Sequence, residues 1–187
     1  MLSDAQKKAL LATARHSIDN ALSAKRGEPA PMVPGLVDDL SPCFVTLTTR
    51  SGRLRGCVGT LESHRSLYDN VREYARLAAF DDPRFSPITV HEIDQLVIGI
   101  SVLGPTKPLH SVDDICLGKH GLSVTFREKR GVLLAKVATE FGWNREQFMD
   151  HVCEKAHLNP ENRALYQWRY FEEESFDERA TAHASPR

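Results

Sequence analysis

Arg53-Leu54-Arg55-Gly56-Cys57-Val58-Gly59 is the segment whose side chains have the most evident chemical use. In an extended strand alternate side chains share a face, so Arg53, Arg55 and Cys57 are expected to project together while Leu54 and Val58 face a core. Two residues of strand rise separate Arg55 from Cys57 by roughly 6.6 Å, within reach of a long guanidinium. A cation at that range favours thiolate over thiol, which makes Cys57 the candidate nucleophile. Gly56 and Gly59 remove side-chain bulk, so a ligand or another backbone can come close. The plainer alternative is that Cys57 is a small buried apolar residue and that the arginines are solvated or paired with carboxylates.

Two further segments carry reactive groups. Asp81-Asp82-Pro83-Arg84-Phe85 sets two carboxylates, a rigid proline, an arginine and an aromatic in a short loop. Adjacent carboxylates point apart, which excludes an acid/base pair of the glycosidase type. The segment reads either as a ligand site or as an Asp82 to Arg84 interaction that locks a turn over Phe85. In Gly118-Lys119-His120-Gly121, His120 is a candidate base for Cys57 if the fold brings them together; otherwise it is a loop residue.

Other chemistries find little support. Cys43, Cys57, Cys116 and Cys153 contain no Cys-x-x-Cys pair, and the eight histidines form no His-x-x-x-His pattern. Reduced thiols, no metal and no cofactor are expected. The glycines of Gly56-Cys57-Val58-Gly59 lack the dinucleotide-binding spacing. Lys plus Arg (24) and Asp plus Glu (25) nearly balance, so no overall field favours nucleic acid or an anionic membrane. Residues 41% hydrophobic and 26% charged are a globular mixture. Met1 to Lys8 does not resemble a signal peptide and no run is long enough to span a bilayer, so a cytoplasmic setting is expected.

The elements that must position these groups follow from local signals. Ser3 with Gln6 forms a capping box for a helix through about Ala24, and prolines 29, 31 and 34 make Gly27 to Gly35 a loop. Cys43 to Thr49 and Leu54 to Val58 read as a hairpin about Ser51-Gly52. Ser66 caps a helix with an alanine-rich face that stops by Asp82, before Pro83. Thr89 and Glu92 form a capping pair before a β-prone central strand, Leu96 to Leu103. A helical turn over Ser111 to Cys116 and a hairpin of Leu122 to Phe126 with Val132 to Leu134 follow. Asn144 with Gln147 caps another helix, with Trp143 and Phe148 as its staple; Gln167 to Phe171 is a last strand, and 179–187 a disordered tail. Hairpins with helices between them imply an α+β fold, a mostly antiparallel sheet with helices packed on it.

Leu54-Arg55-Gly56-Cys57-Val58-Gly59-Thr60-Leu61-Glu62 closely resembles the signature of the AMMECR-domain family, known in prokaryotes as AmmeMemoRadiSam system protein A. Asp82-Pro83-Arg84-Phe85, Ser101-Val102-Leu103, Gly118 to Leu122, Gly142-Trp143 and Lys155-Ala156 follow at the family's spacing. The resemblance implies one domain over 1–178 with two lobes and a cleft between them, the larger lobe from both chain ends and the smaller from the middle. It also implies that Arg55, Gly56, Cys57, Gly59, Thr60 and Glu62 are signature residues near that cleft, with Asp82, Arg84 and Phe85 a second element, here taken as substrate-binding candidates. Members often occur with a Memo-like protein and a radical S-adenosylmethionine protein, the partners expected here. This chain departs from the family pattern at Leu133-Leu134-Ala135-Lys136-Val137, and at His157, where glycine is usual. Three functions stay open: an enzyme or enzyme subunit working through Cys57, a non-catalytic binding or scaffold module, and RNA or nucleotide recognition through Arg50, Arg53 and Arg55 or Arg127, Lys129 and Arg130.

Overall fold

The computed structural model describes residues 2–23 and 39–182. The proline-rich stretch from Gly27 to Gly35 lies outside the described residues. In chain order the elements are α1 (Asp4–Leu22), β1 (Cys43–Thr49), β2 (Leu54–Gly59), α2 (Leu67–Phe80), β3 (Leu96–Leu103), β4 (Lys107–Pro108), β5 (His120–Phe126), β6 (Lys129–Leu133), α3 (Ala135–Glu140), α4 (Arg145–Lys155), β7 (Gln167–Asp177) and α5 (Glu178–Ala182). The chain is α+β, with antiparallel strand pairs and helices packed on them. It divides into two compact units, Met1–Val102 with Glu174–Arg187, and Leu103–Glu173.

In the first unit β1 is central, antiparallel to β2 on one side and β3 on the other, and the end of β7 follows β3. Gly52, at φ 89°, makes the β1–β2 turn in the left-handed region that glycine enters without steric penalty. Ser3 and Gln6 form the reciprocal cap of α1, and the Ser66 hydroxyl accepts from the Asp69 N–H to open α2. Leu10, Ile18, Val45, Leu47, Val71, Ile98 and Ile100 are buried together, each aliphatic side chain worth about 1.5–3 kcal/mol when withdrawn from water. Ala75, Ala78 and Ala79 are also buried, and their small size lets α2 lie directly on the sheet. At Gly56 a methyl group would overlap the Ala78 carbonyl, so helix and strand backbones touch there.

In the second unit the strand order is β6, β5, β7, β4. Asn144 and Gln147 cap α4 reciprocally, and Trp143 lies 6.5 Å from Phe148 between ring centroids. Leu122, Val124, Phe148, Val152, Cys153 and Trp168 form its core.

Three sequence expectations need correction. Leu54 is 39% exposed, not core-facing, because a bulge lies between its pairing with Thr48 and that of Gly56 with Leu47; Arg55 is the extra residue. Helix α3 was not anticipated, since Leu134 at its N-cap makes no side-chain capping bond. Strand β7 runs on to Asp177, and α5 occupies 178–182, where a disordered tail was expected from 179.

Candidate functional site

The site is built on β2, an edge strand of the first unit. Cys57 stands opposite Thr46 on β1. Its N–H donates to Asp82 Oδ2 at 2.9 Å and its carbonyl accepts from Arg84 Nη2 at 3.0 Å. Both backbone groups therefore point away from β1, which makes Thr46 and Cys57 a non-hydrogen-bonded pair, the kind whose side chains stand closest. The Thr46 hydroxyl accordingly donates to Cys57 Sγ at 3.3 Å. Thr46 is buried and Cys57 half-buried. Asp82 and Arg84 take the place of a neighbouring strand, accepting where one would accept and donating where one would donate, so the edge is closed at this residue.

The segment after α2 is shaped for this task. Pro83 keeps Asp82 out of the helix, and the Asp82 carboxylate, 3% exposed, also accepts from the Arg84 backbone N–H at 3.1 Å, Nε at 2.9 Å and Nη2 at 2.7 Å. Hydrogen bonding from Arg84 is the main reason the Asp82 carboxyl is held down to about 2; burial opposes it, and the Cys57 N–H adds to the lowering. Arg84 is raised above its ordinary value, first by Asp82 and less strongly by the Cys57 side chain beside it. Its guanidinium also lies 5.3 Å from the centre of the Phe85 ring. The turn-locking interaction and the contact with β2 are thus one structure.

Arg55 is directed elsewhere. Its Nε and Nη2 donate to Glu92 at 2.9 and 3.3 Å, Nη1 donates to the Ser86 carbonyl at 2.7 Å, and Nη2 reaches the Pro87 carbonyl at 3.3 Å. Glu92, also capped onto Thr89, is held down to about 2 chiefly by Arg55. Arg55 therefore fastens the loop over 86–92 to β2, and the guanidinium beside Cys57 is that of Arg84. Gly56 and Gly59 admit backbone: a side chain at Gly59 would overlap the Cys43 carbonyl and Phe44. The Thr60 hydroxyl donates to the Glu62 carbonyl at 2.6 Å and accepts from the Glu62 N–H at 3.3 Å, closing the turn after β2.

His120 belongs to the second unit. There its Nδ1 accepts from the Cys116 N–H at 3.1 Å and its ring stacks on Tyr170 at 4.4 Å. The structure thus groups Cys57, Asp82, Arg84 and Phe85, sets Arg55 beside them on Glu92, and holds His120 in separate local bonds. Thr46 was missed as a site residue, although counting back across the Ser51-Gly52 turn would have brought it close to Cys57. Glu92 carries a local signal as the capping partner of Thr89 and none for its second role as the partner of Arg55. Among the described residues no group of three or more His, Cys, Asp and Glu could hold a metal ion, and no helix is long and apolar enough to cross a membrane.

The AMMECR1 family model matches residues 11–176. The chain belongs to the AMMECR1 family. Relatives within reach of direct comparison include a protein of Methanothermobacter thermautotrophicus, 38% identical over 167 residues, with 86% of each chain covered. Protein MJ0810 of Methanocaldococcus jannaschii is 36% identical over 155 residues, 79% of this chain and 77% of that one. Among solved structures, the uncharacterized protein PH0010 from Pyrococcus horikoshii superposes with a TM-score of 0.84 at 32% identity, covering 90% of this chain and 89% of its own. Within the matched residues, Leu54–Gly59 thus forms a strand edge that Asp82 and Arg84 close and Arg55 braces.

Proposed function

We propose that this AMMECR1-family protein is a cytoplasmic enzyme or enzyme subunit of a modification pathway, acting with Memo-like and radical S-adenosylmethionine partners through the Cys57 thiol. The observation that carries the reading is a half-buried cysteine whose sulfur accepts from the Thr46 hydroxyl and neighbours the Arg84 guanidinium, on backbone fixed from one side by β1 and from the other by Asp82. A partly exposed cysteine beside a guanidinium is the setting in which thiols act as nucleophiles. Asp82, Arg84 and Phe85 shape the approach to it, with Phe85 half-buried and Arg84 exposed. The four cysteines are free thiols, in keeping with a reducing compartment.

The protein contains its own standards for a test. Cys116 is an exposed thiol, whereas burial pushes the Cys43 thiol up to about 12 and Cys153 up to about 11. Iodoacetamide labelling at pH 7, followed peptide by peptide by mass spectrometry, is expected to modify Cys57 faster than Cys116 and to leave Cys43 and Cys153 intact. Arg84→Lys, which keeps a cation but loses the forked contact, should slow Cys57 alone.

One observation favours the binding-module alternative. Arg55, Asp82 and Glu92 are each engaged with a neighbouring residue, so these groups are held in place rather than poised to move a proton. If Cys57 reacts no faster than Cys116, the nucleophile reading fails and this surface is a recognition element.

A further inference from the structure

The second unit holds a cavity that the Cys57 reading does not use. It lies where the Arg127-Glu128 turn between β5 and β6 meets the chain leaving α4, and its volume is about 510 Å³. Small-molecule pockets fall in the range of about 300–1,000 Å³. Phe126 and Tyr166, both half-buried, form its aromatic side, with ring centroids 5.0 Å apart and planes inclined at 49°. Its walls are tied: Lys129 Nζ donates to the His157 carbonyl at 2.6 Å, and the Tyr166 hydroxyl donates to the Asn159 carbonyl at 3.0 Å.

Three formally charged side chains line it, Arg127, Glu128 and Lys129, and they are not equivalent. Lys129 answers a carbonyl just beyond the C-terminus of α4, where the helix dipole is negative. Arg127 lies over the Phe126 ring at 5.3 Å and has no carboxylate partner among the described residues. A guanidinium over an aromatic face keeps N–H groups for an anion. Backbone geometry singles out the same place. Arg127 (φ 55°) and His157 (φ 54°) are the only non-glycine residues with positive φ among the described residues, and both line this cavity. Glycine would relax either position, yet each carries a long or ring-bearing side chain at the mouth.

We infer that this cavity binds a planar heteroaromatic ring bearing an anionic group, of the nucleoside monophosphate class. The ring packs against Tyr166 and Phe126, and the anion meets Arg127. A single-stranded nucleic acid would need a track of successive stacking platforms, whereas this is one concavity with a single guanidinium, which joins no ion pair among the described residues.

The test is calorimetric titration of the full chain with adenosine monophosphate, with adenosine, inorganic phosphate and a ten-nucleotide RNA as parallel arms. Saturable binding of the monophosphate, with adenosine and phosphate each at least tenfold weaker, is expected. Arg127→Gly suits the left-handed backbone, so it should preserve the melting temperature while weakening the monophosphate at least tenfold. The inference is overturned if the monophosphate fails to saturate at millimolar concentration, if Arg127→Gly leaves its affinity unchanged, or if the RNA binds and the monophosphate does not.

Discussion

Arg84 acts on two neighbours at once, and the effect on Asp82 can be isolated. The Asp82 carboxyl sits at about 2 because hydrogen bonding from Arg84 outweighs a burial effect of opposite sign. Removing the guanidinium leaves the burial effect, the Cys57 N–H and the backbone N–H of residue 84. In Arg84→Ala the Asp82 carboxyl is therefore expected to titrate well above 2, in or beyond the ordinary carboxylate range, with a loss of roughly 1–3 kcal/mol of stability. Carbon-detected NMR titration of the aspartate carboxyls reads this directly. A carboxyl that stays near 2 would show that Arg84 is not what holds it there. At this scale the sequence was partly legible. The Asp82 to Arg84 pairing spans two residues and could be read from the loop, whereas the Arg55 to Glu92 pair spans 37 residues and has no local signal.

Among the elements, the contact of β2 with α2 is the most constrained. A methyl group at Gly56 would meet the Ala78 carbonyl, and both partners are backbone, so neither can rotate away. Gly99, on β3, has its nearest neighbour 3.7 Å from the same added atom. Gly56→Ala is expected to cost about 3 kcal/mol, lowering the melting temperature by roughly 6–12 °C, while Gly99→Ala should stay within about 0.5 kcal/mol. Thermal melts of the two variants compare overpacking with a harmless methyl in one sheet. The same contrast explains which elements could be read. Caps at Ser3, Ser66 and Asn144 lie within three residues of their partners. The second half of β7 resembles a polar tail because the partners of Glu172, Glu174 and Ser175 are Lys119, Lys7 with the Leu2 N–H, and Ser101, all distant in sequence. The bulge at Arg55 was hidden for a similar reason, since register belongs to the pair of strands.

For the whole molecule, the low carboxyl values translate into acid sensitivity. Asp82 moves from an ordinary 3.8 to about 2 on folding. A group depressed in the folded state contributes stability that is complete above its unfolded value and is lost as pH falls through the folded one. The Asp82 contribution, about 2 kcal/mol, should therefore be present at pH 5 and disappear between about pH 4 and pH 2. Glu92, from 4.5 to about 2, acts in the same direction and over the same window, but at 38% side-chain exposure its share is reduced by solvent screening. Urea unfolding of the native chain should thus show a midpoint that drops steeply on acidification below pH 4. In Asp82→Asn the carboxylate contribution is absent at every pH, so the variant should be weaker by roughly 1–3 kcal/mol at pH 5 and approach the native chain near pH 2. Curves that remained parallel across that window would mean that the closed edge beside Cys57 is held by packing alone, independently of the charge on Asp82.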